Sequence, residues 1–225
     1  MPTIEPAIGS RFSHARLLDA QHPERGKAEA FVAEVYQARF SARITEFMPH
    51  LLCFYQHEQL AAVVGLRCAA RETLFCETYL GGAAESVIAE QVRAPVSRRQ
   101  IVEMGNFAAN DAGTGRRLIL SLIPLLNEAG SRFVMFVATR QLRNAFARLG
   151  LQPISLGAAD AQRLGAAAGQ WGRYYDEQPQ VMVGDLTRAP SWATAPSALD
   201  ACAKAASTIR SNNPLLQSRL CVESR

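Results

Sequence analysis

The stretch from residue 100 to 138, QIVEMGNFAANDAGTGRRLILSLIPLLNEAGSRFVMFVA, constrains the fold more than any other part of the chain. It opens on a strand, QIVEMGNFA, interrupted at Gly105, and a polar glycine-broken loop, NDAGTG, follows. The segment TGRRLILSLIPLLNEAG then repeats its apolar residues at helical spacing. Leu118, Leu122, Leu125, Leu126 and Ala129 share one stripe, and Gly130 is the stop. The next run, RFVMFVAT, is apolar at odd and even positions alike, which predicts a central strand covered on both faces. Such a succession demands a sheet with a helix packed against it.

The flanking sequence extends the pattern. ERGKAEAFVAEVYQAR, residues 24–39, places Phe31, Val32, Val35 and Ala38 on one helical face. HLLCFYQHEQLAAVVGLRCA predicts two strands, near 50–56 and 60–68, around the polar turn QHEQ. TLFCETYL predicts a third strand, and AESVIAEQVR a short helix stopped by Pro95. Beyond the central unit, QLRNAFARLG predicts a helix closed by Gly150, LQPISLG a strand, ADAQRL a helical turn and PQVMVGDL the last strand. From residue 188 the chain turns small, polar and proline-containing. The expected organisation is a folded domain over 1–187 and a partly disordered or loosely helical tail over 188–225. The predicted class is α/β, a mixed central sheet with helices on both faces.

A domain of this kind needs a core, and 225 residues at 48% hydrophobic content supply one. The formal charge of +4 pulls weakly toward anionic partners. The basic residues are almost all arginine, with lysine only at Lys27 and Lys204, and no nucleic-acid partner is expected. The five cysteines form no C-x-x-C pair, and His14, His22, His50 and His57 lack ligand spacing, so no metal site is expected. The opening MPTIEPAIGS has neither the basic nor the apolar region of a signal peptide. No apolar run approaches the ~18–20 residues of a membrane span. The expectation is a cytoplasmic protein. A membrane-lysing role would call for an amphipathic helix with a strong basic face, which the sequence does not display.

The chemistry concentrates in the central unit. Alternation along a strand puts Glu103 on one face with Ile101, Gly105 and Phe107, and Val102 and Met104 on the other. A carboxylate on an apolar face either pairs with an arginine as a structural charge, or has its pKa raised toward values useful to a general base. Gly105 tolerates a bulge that would splay the strand. The following loop, leading into a helix, offers free N–H groups and a helix dipole to a phosphate. GTGRR lacks the third glycine of a dinucleotide fingerprint and the Lys–Ser/Thr of a P-loop. The residues alone therefore define an α/β domain with a candidate anion site.

Several segments also carry a resemblance. NDAGTG resembles the Q/R-x-x-G-x-G/A phosphate loop of the GNAT N-acyltransferases, with Asn110 where those enzymes have Gln or Arg. RNAFARLGL resembles their later helix, with Asn144, Phe146, Gly150 and Leu151 in its pattern. RFSARITEFMP, LFCETYL, IVEMGNFAA, FVATRQLRNAFARLGL, the Ala159–Asp160 pair and WGRYYDEQPQVMVGDL together resemble the thermostable hemolysin family, over about residues 12–187. That family is in turn similar to the acyl-homoserine-lactone synthases. The resemblance implies a GNAT-like sheet splayed at the fourth core strand. It also implies transfer of a fatty acyl group from acyl-CoA or acyl carrier protein to a small amine acceptor, such as an amino acid or a derivative. No permanently bound cofactor is implied; the thioester is a co-substrate.

On this resemblance Glu103 is the base. Backbone groups at Phe107, Ala108 and Ala109 hold the pantetheine, and amides around Gly113 and Gly115 hold phosphate. Arg116 and Asn144 flank the donor. Asn106, Phe133, Phe136 and Phe146 line the substrate, with an acyl tunnel near Phe107, Phe133 and Phe136. Phe146 stands where many GNAT enzymes carry the Tyr that protonates the departing thiolate, a tolerable loss because a thiolate leaves readily. Arg116 and Arg117, with Arg140, Arg143 and Arg148, are expected at the donor mouth. A homodimer is compatible with this reading, as is a catalytically inactive GNAT-like partner or regulator.

Overall fold

The central unit of the sequence becomes β4 (Ile101–Ala109), α3 (Ala112–Glu128) and β5 (Phe133–Ala138) in a computed structural model that describes residues 12–190. Ahead of it come β1 (His14–Leu18), α1 (Arg25–Phe40), β2 (His50–Gln56), β3 (Gln59–Cys68) and α2 (Ala84–Val92). After it come α4 (Arg140–Arg148), β6 (Ile154–Ala158) and β7 (Gln180–Asp185). The strands form one seven-stranded sheet in the order β1-β2-β3-β4-β5-β7-β6. β4 and β5 are its parallel pair, and the other pairings are antiparallel.

Helices cover both faces, as the doubly apolar β5 requires. On one face α3 buries Leu118, Leu122 and Leu126 against Val64, Val102 and Val134, with Phe146 of α4 joining them. On the other, Val32 of α1 packs against Leu51 and Val63, while Ile88 of α2 shares a cluster with Ile101, Phe133 and Met135. Residues 41–49 between α1 and β2 take no regular structure but are pinned on several sides. Arg43 N–H donates to the Gln170 carbonyl at 2.7 Å, and the buried Arg25 guanidinium donates to the carbonyls of Met48 at 2.7 Å and Pro49 at 2.8 Å.

Two expectations are corrected. TLFCETYL is not a strand; its centre is a 3-10 turn, Phe75–Thr78. Glu77 folds back to accept from the N–H groups of Leu74 and Ala84, each at 2.7 Å, which curls the chain where a strand would extend it. β1 precedes the first expected element: HARLL is too short for a clear period, and its pairing with β2 fixes it as an edge strand. The last described turn, Leu186–Arg188, straddles the boundary drawn at 187, and Ala189 packs against the core. Most of the tail read at 188–225 lies outside the described residues.

Candidate active site

The parallel ladder runs from Ile101 opposite Phe133 to Met104 opposite Phe136 and stops there. β4 continues to Ala109 and β5 to Ala138, so the two strands part beyond Met104. The cause lies on the opposite edge of β4. There Gly65 faces Gly105 and Val63 faces Ala108, so two residues of β4 oppose one of β3. Asn106 takes the left-handed conformation of such a bulge, with φ 46°. A Cβ on Gly65 or Gly105 would run into the Met48 side chain, and the Met48 N–H donates to Asn106 Oδ1 at 2.7 Å. Gly65, which meets Met48 Cβ and Cγ, is therefore a steric requirement of this crossing, while Gly105 meets the flexible end of the same side chain.

The bulge also reverses the alternation. Val102 and Met104 face the α3 side, and after Asn106 so do Phe107 and Ala109, while Ala108 turns to the α1 side. Phe107 thus does not share the face of Glu103, contrary to the expected alternation. A strand period counted through a bulge slips by one residue.

Glu103 is fully buried at the point of divergence. One carboxylate oxygen accepts from Cys76 N–H at 2.5 Å, the other from Phe75 N–H at 2.9 Å and from Arg67 at 3.5 Å. Arg67 is also its cross-strand partner on β3. The Phe75–Thr78 turn aims its first amides at the carboxylate, and that turn is held in turn by the Glu77–Arg98 ion pair at 2.7 Å, which Glu85 extends. Burial pushes the Glu103 carboxyl above the usual carboxylate range; the Cys76 thiol, the two amides and Arg67 oppose the shift without cancelling it. The buried Cys76 thiol is pushed well up by burial and by the neighbouring Glu103 charge.

Three cavities meet around the parted strands. An outer cleft of 630 Å³ runs along Phe107, Ala109, Gly115, Leu142 and Ala145. An inner compartment of 330 Å³ contains Glu103 and Arg67 among aromatic side chains that include Phe47, Phe75, Tyr79 and Trp171. The outer cleft and inner compartment share Tyr36, Phe107, Val137, Leu142 and Tyr174. A third cavity of 230 Å³ on the α3 side is lined by Ile119, Leu122, Leu126 and other apolar residues. It shares Met104, Phe136 and Phe146 with the inner compartment.

The start of α3 differs from the expected phosphate cradle. Asp111 is its N-cap, and its carboxylate accepts from Thr114 N–H at 2.9 Å and from the Thr114 hydroxyl at 2.6 Å. These hydrogen bonds and the Gly113 N–H hold the Asp111 carboxyl below its usual range. Gly115 N–H closes the first helical bond to the Asp111 carbonyl at 2.9 Å. The amides expected to be free for phosphate around Gly113 and Gly115 already have partners. The sequence contained the signal, since Asp followed three residues later by a helix interior is a capping pattern.

The other singled-out residues sort by cavity. Arg116, Asn144 and Arg148 line the outer cleft, joined by Arg39 of α1, for which the sequence held no signal. Arg143 instead donates to the carbonyls of Ala138 at 2.9 Å and Gln178 at 2.8 Å, and Arg117 to the Thr114 hydroxyl at 2.7 Å. Asn106, Phe136 and Phe146 line the inner compartment. Phe133 does not: it sits in the fully paired part of β5, buried against Ile101 and Met135 on the α2 side. The tyrosines Tyr36, Tyr79, Tyr174 and Tyr175, with Trp171, escaped sequence reasoning. They come from three separate segments and form one aromatic wall.

A mixed sheet whose central strands part over a buried glutamate, with a helix opening directly after the fourth strand, is the GNAT-like acyltransferase fold. Within that fold, the chain belongs to the thermostable hemolysin family, which matches residues 18–190. Among solved structures it is similar to FeeM, an N-acyl amino acid synthase from uncultured soil microbes. The TM-score is 0.54 and the identity 15%, over 81% of this chain and 94% of that one. It is also similar to the acyl-homoserine-lactone synthase LasI, at TM-score 0.52 and 13% identity over 77% and 91% of the two chains. The CoA-dependent acyl-homoserine lactone synthase BjaI, solved with SAM and isopentyl-CoA, matches at TM-score 0.50 and 12% identity over 96% and 92%. At such identities the likeness is one of fold. No curated protein matches the sequence. Among the described residues, no helix is long and apolar enough to cross a membrane.

Proposed function

We propose that this chain is an N-acyltransferase that moves a fatty acyl group from a thioester of CoA or acyl carrier protein to the amine of a small acceptor. The observation that carries the reading is the position of Glu103, buried with a raised pKa where β4 and β5 separate, in the inner compartment that the outer cleft joins. The pantetheine arm runs along the open edge of β4 at Phe107 and Ala109, with Gly115 leaving room beside them and Arg39, Arg116 and Arg148 at the mouth. The acyl chain passes Met104, Phe136 and Phe146 into the apolar cavity under α3. The acceptor enters among the aromatic residues of the inner compartment, and Glu103 takes the amine proton directly or through water, so that nitrogen attacks the carbonyl carbon.

The support is chemical and geometric: a base, a path for the thioester and an apolar chamber converge on one opening. The likeness to acyl-homoserine-lactone synthases and an N-acyl amino acid synthase favours the same reaction class. A second reading has one observation in its favour. The Glu103 carboxylate already accepts from the Phe75 and Cys76 amides and from Arg67, as a structural carboxylate does, and a catalytically inactive relative would keep these bonds. Incubating the protein with medium-chain acyl thioesters and mixed amino acids, then reading amide products by mass spectrometry, separates the two. Product formed by wild type and lost in Glu103→Gln supports the transferase; no product from any donor and acceptor supports the inactive relative.

A further inference from the structure

Five residues line both the outer cleft and the inner compartment, and they mark where a thioester must lie to be reached from both sides. Phe107, Val137 and Leu142 offer only apolar side chains there, so the polar side-chain groups of this junction are the hydroxyls of Tyr36 and Tyr174. The two rings stack at 6.3 Å and 16°, both buried. Each hydroxyl meets a different one of the separated strands. Tyr174 donates to the Val137 carbonyl of β5 at 3.5 Å, which commits its proton. The Tyr36 hydroxyl lies against the backbone N–H of Phe107 on β4. The Tyr36 side chain lines both cavities, so it borders the space where the thioester must lie.

We infer that Tyr36 is a catalytic residue for the proposed acyl transfer, donating a hydrogen bond to the thioester carbonyl oxygen as it becomes an oxyanion. The amine nitrogen attacks the carbonyl carbon, the C–N bond forms, and the C=O π pair moves to oxygen, where the Tyr36 O–H receives it as a hydrogen bond without losing its proton. Collapse restores the C=O bond and breaks C–S, and the sulfur leaves with the electron pair as thiolate. The surplus proton on nitrogen goes to Glu103. Burial pushes the Tyr36 hydroxyl up to about 12, so the group stays protonated and remains a donor through the neutral range. This assignment supplies a tyrosine to the reaction from α1, where Phe146 of α4 has none to offer.

The test uses full-length protein and a medium-chain acyl-pantetheine labelled with carbon-13 at the thioester carbonyl. Infrared difference spectra of the bound donor in wild type and in Tyr36→Phe report the hydrogen bond without requiring turnover. The carbonyl stretch is expected at lower frequency in wild type than in Tyr36→Phe, with the donor Kd within a few-fold. Tyr174→Phe should leave the stretch where wild type has it. The same frequency in wild type and Tyr36→Phe, or a shift caused by Tyr174→Phe alone, overturns the assignment. With an active acceptor, Tyr36→Phe should lower kcat about 10²- to 10³-fold, the effect of removing one oxyanion donor. Absence of amide product from wild type with every acceptor would overturn the acyltransferase reading, while the spectra still decide on Tyr36. A labelled donor that does not bind overturns both.

Discussion

Arg67 and Glu103 face each other across β3 and β4, with guanidinium and carboxylate 3.5 Å apart, and Glu103 sits one residue before the last pair of β4 with β5. The arginine stabilises the glutamate as an anion, yet burial outweighs it and the carboxyl stays above its ordinary range. A carboxyl raised in this direction is what the proposed role of Glu103 as base calls for.

Replacing Glu103 by Gln keeps the shape and removes the proton acceptor. Turnover should fall about 10²- to 10⁴-fold, donor affinity should change little, and the acidic limb of the pH–rate profile should vanish. The stability prediction has its own sign. A carboxyl whose folded pKa is raised binds its proton more tightly in the native state, so its penalty is absent below the ordinary carboxylate range. The penalty grows as pH rises through the unfolded and then the folded pKa. Thermal unfolding across that window should therefore fall less steeply in Glu103→Gln than in wild type. Equal slopes and normal turnover would mark Glu103 as neither base nor buried anion.

Asp111 occupies the helix-start amides that a diphosphate would use. Asp111→Asn keeps a capping oxygen while removing the charge. It should tighten CoA binding several-fold by calorimetry and leave binding of acyl-pantetheine, which has no phosphate, unchanged. Equal CoA affinity in both proteins would show that the diphosphate is held elsewhere, with Arg39, Arg116 and Arg148 as the cations that line the outer cleft.

Gly105→Ala forces a methyl group into Met48 and should cost about 1–3 kcal/mol, as overpacking does. Shortening the partner in Gly105→Ala/Met48→Ala should recover part of that loss. Denaturant titration of the four proteins gives the coupling energy; strict additivity would mean that the two side chains do not compete for the same space.

The Glu77–Arg98 pair holds the turn that presents Phe75 and Cys76 to Glu103. Burial alone would raise the Glu77 carboxyl, but Arg98 and the amides of Ala84 and Leu74 bring it down to about 2. A depressed carboxyl stabilises the fold above its unfolded pKa, and that stability is lost as pH falls toward 2. Glu77→Gln should thus cost on the order of 2–3 kcal/mol at neutral pH and little at pH 2. A penalty that persists undiminished in acid would place its origin in packing.

Phe133 lies in the paired core of the sheet, whereas Phe146 lines two of the cavities. Phe133→Ala should lose about 3–5 kcal/mol of stability without changing acyl preference in whatever protein folds. Phe146→Ala should lengthen the preferred acyl chain, because Phe146 stands between the inner compartment and the cavity under α3. Competition among thioesters of graded length reads both; a change with Phe133 and none with Phe146 would move the acyl path to the other face of the sheet.

The sequence by itself determined the β4–α3–β5 unit, because its apolar stretches are long and their spacing and composition select one kind of element each. It also singled out Glu103, since a carboxylate inside an apolar strand is conspicuous against its neighbours. The tertiary structure decided what surrounds that carboxylate. TLFCETYL is apolar enough for a strand, and only the reach of Glu77 to Leu74 and Ala84 and its pairing with Arg98 curl it into a turn. The face of Phe107 depends on a bulge that exists because Met48, more than fifty residues earlier, lies across Gly65 and Gly105. Tyr36 and Tyr174 come from opposite ends of the domain and stack where two strands separate. Local pattern is written in spacing along the chain; a junction between distant segments is fixed only when they pack, and no spacing records it.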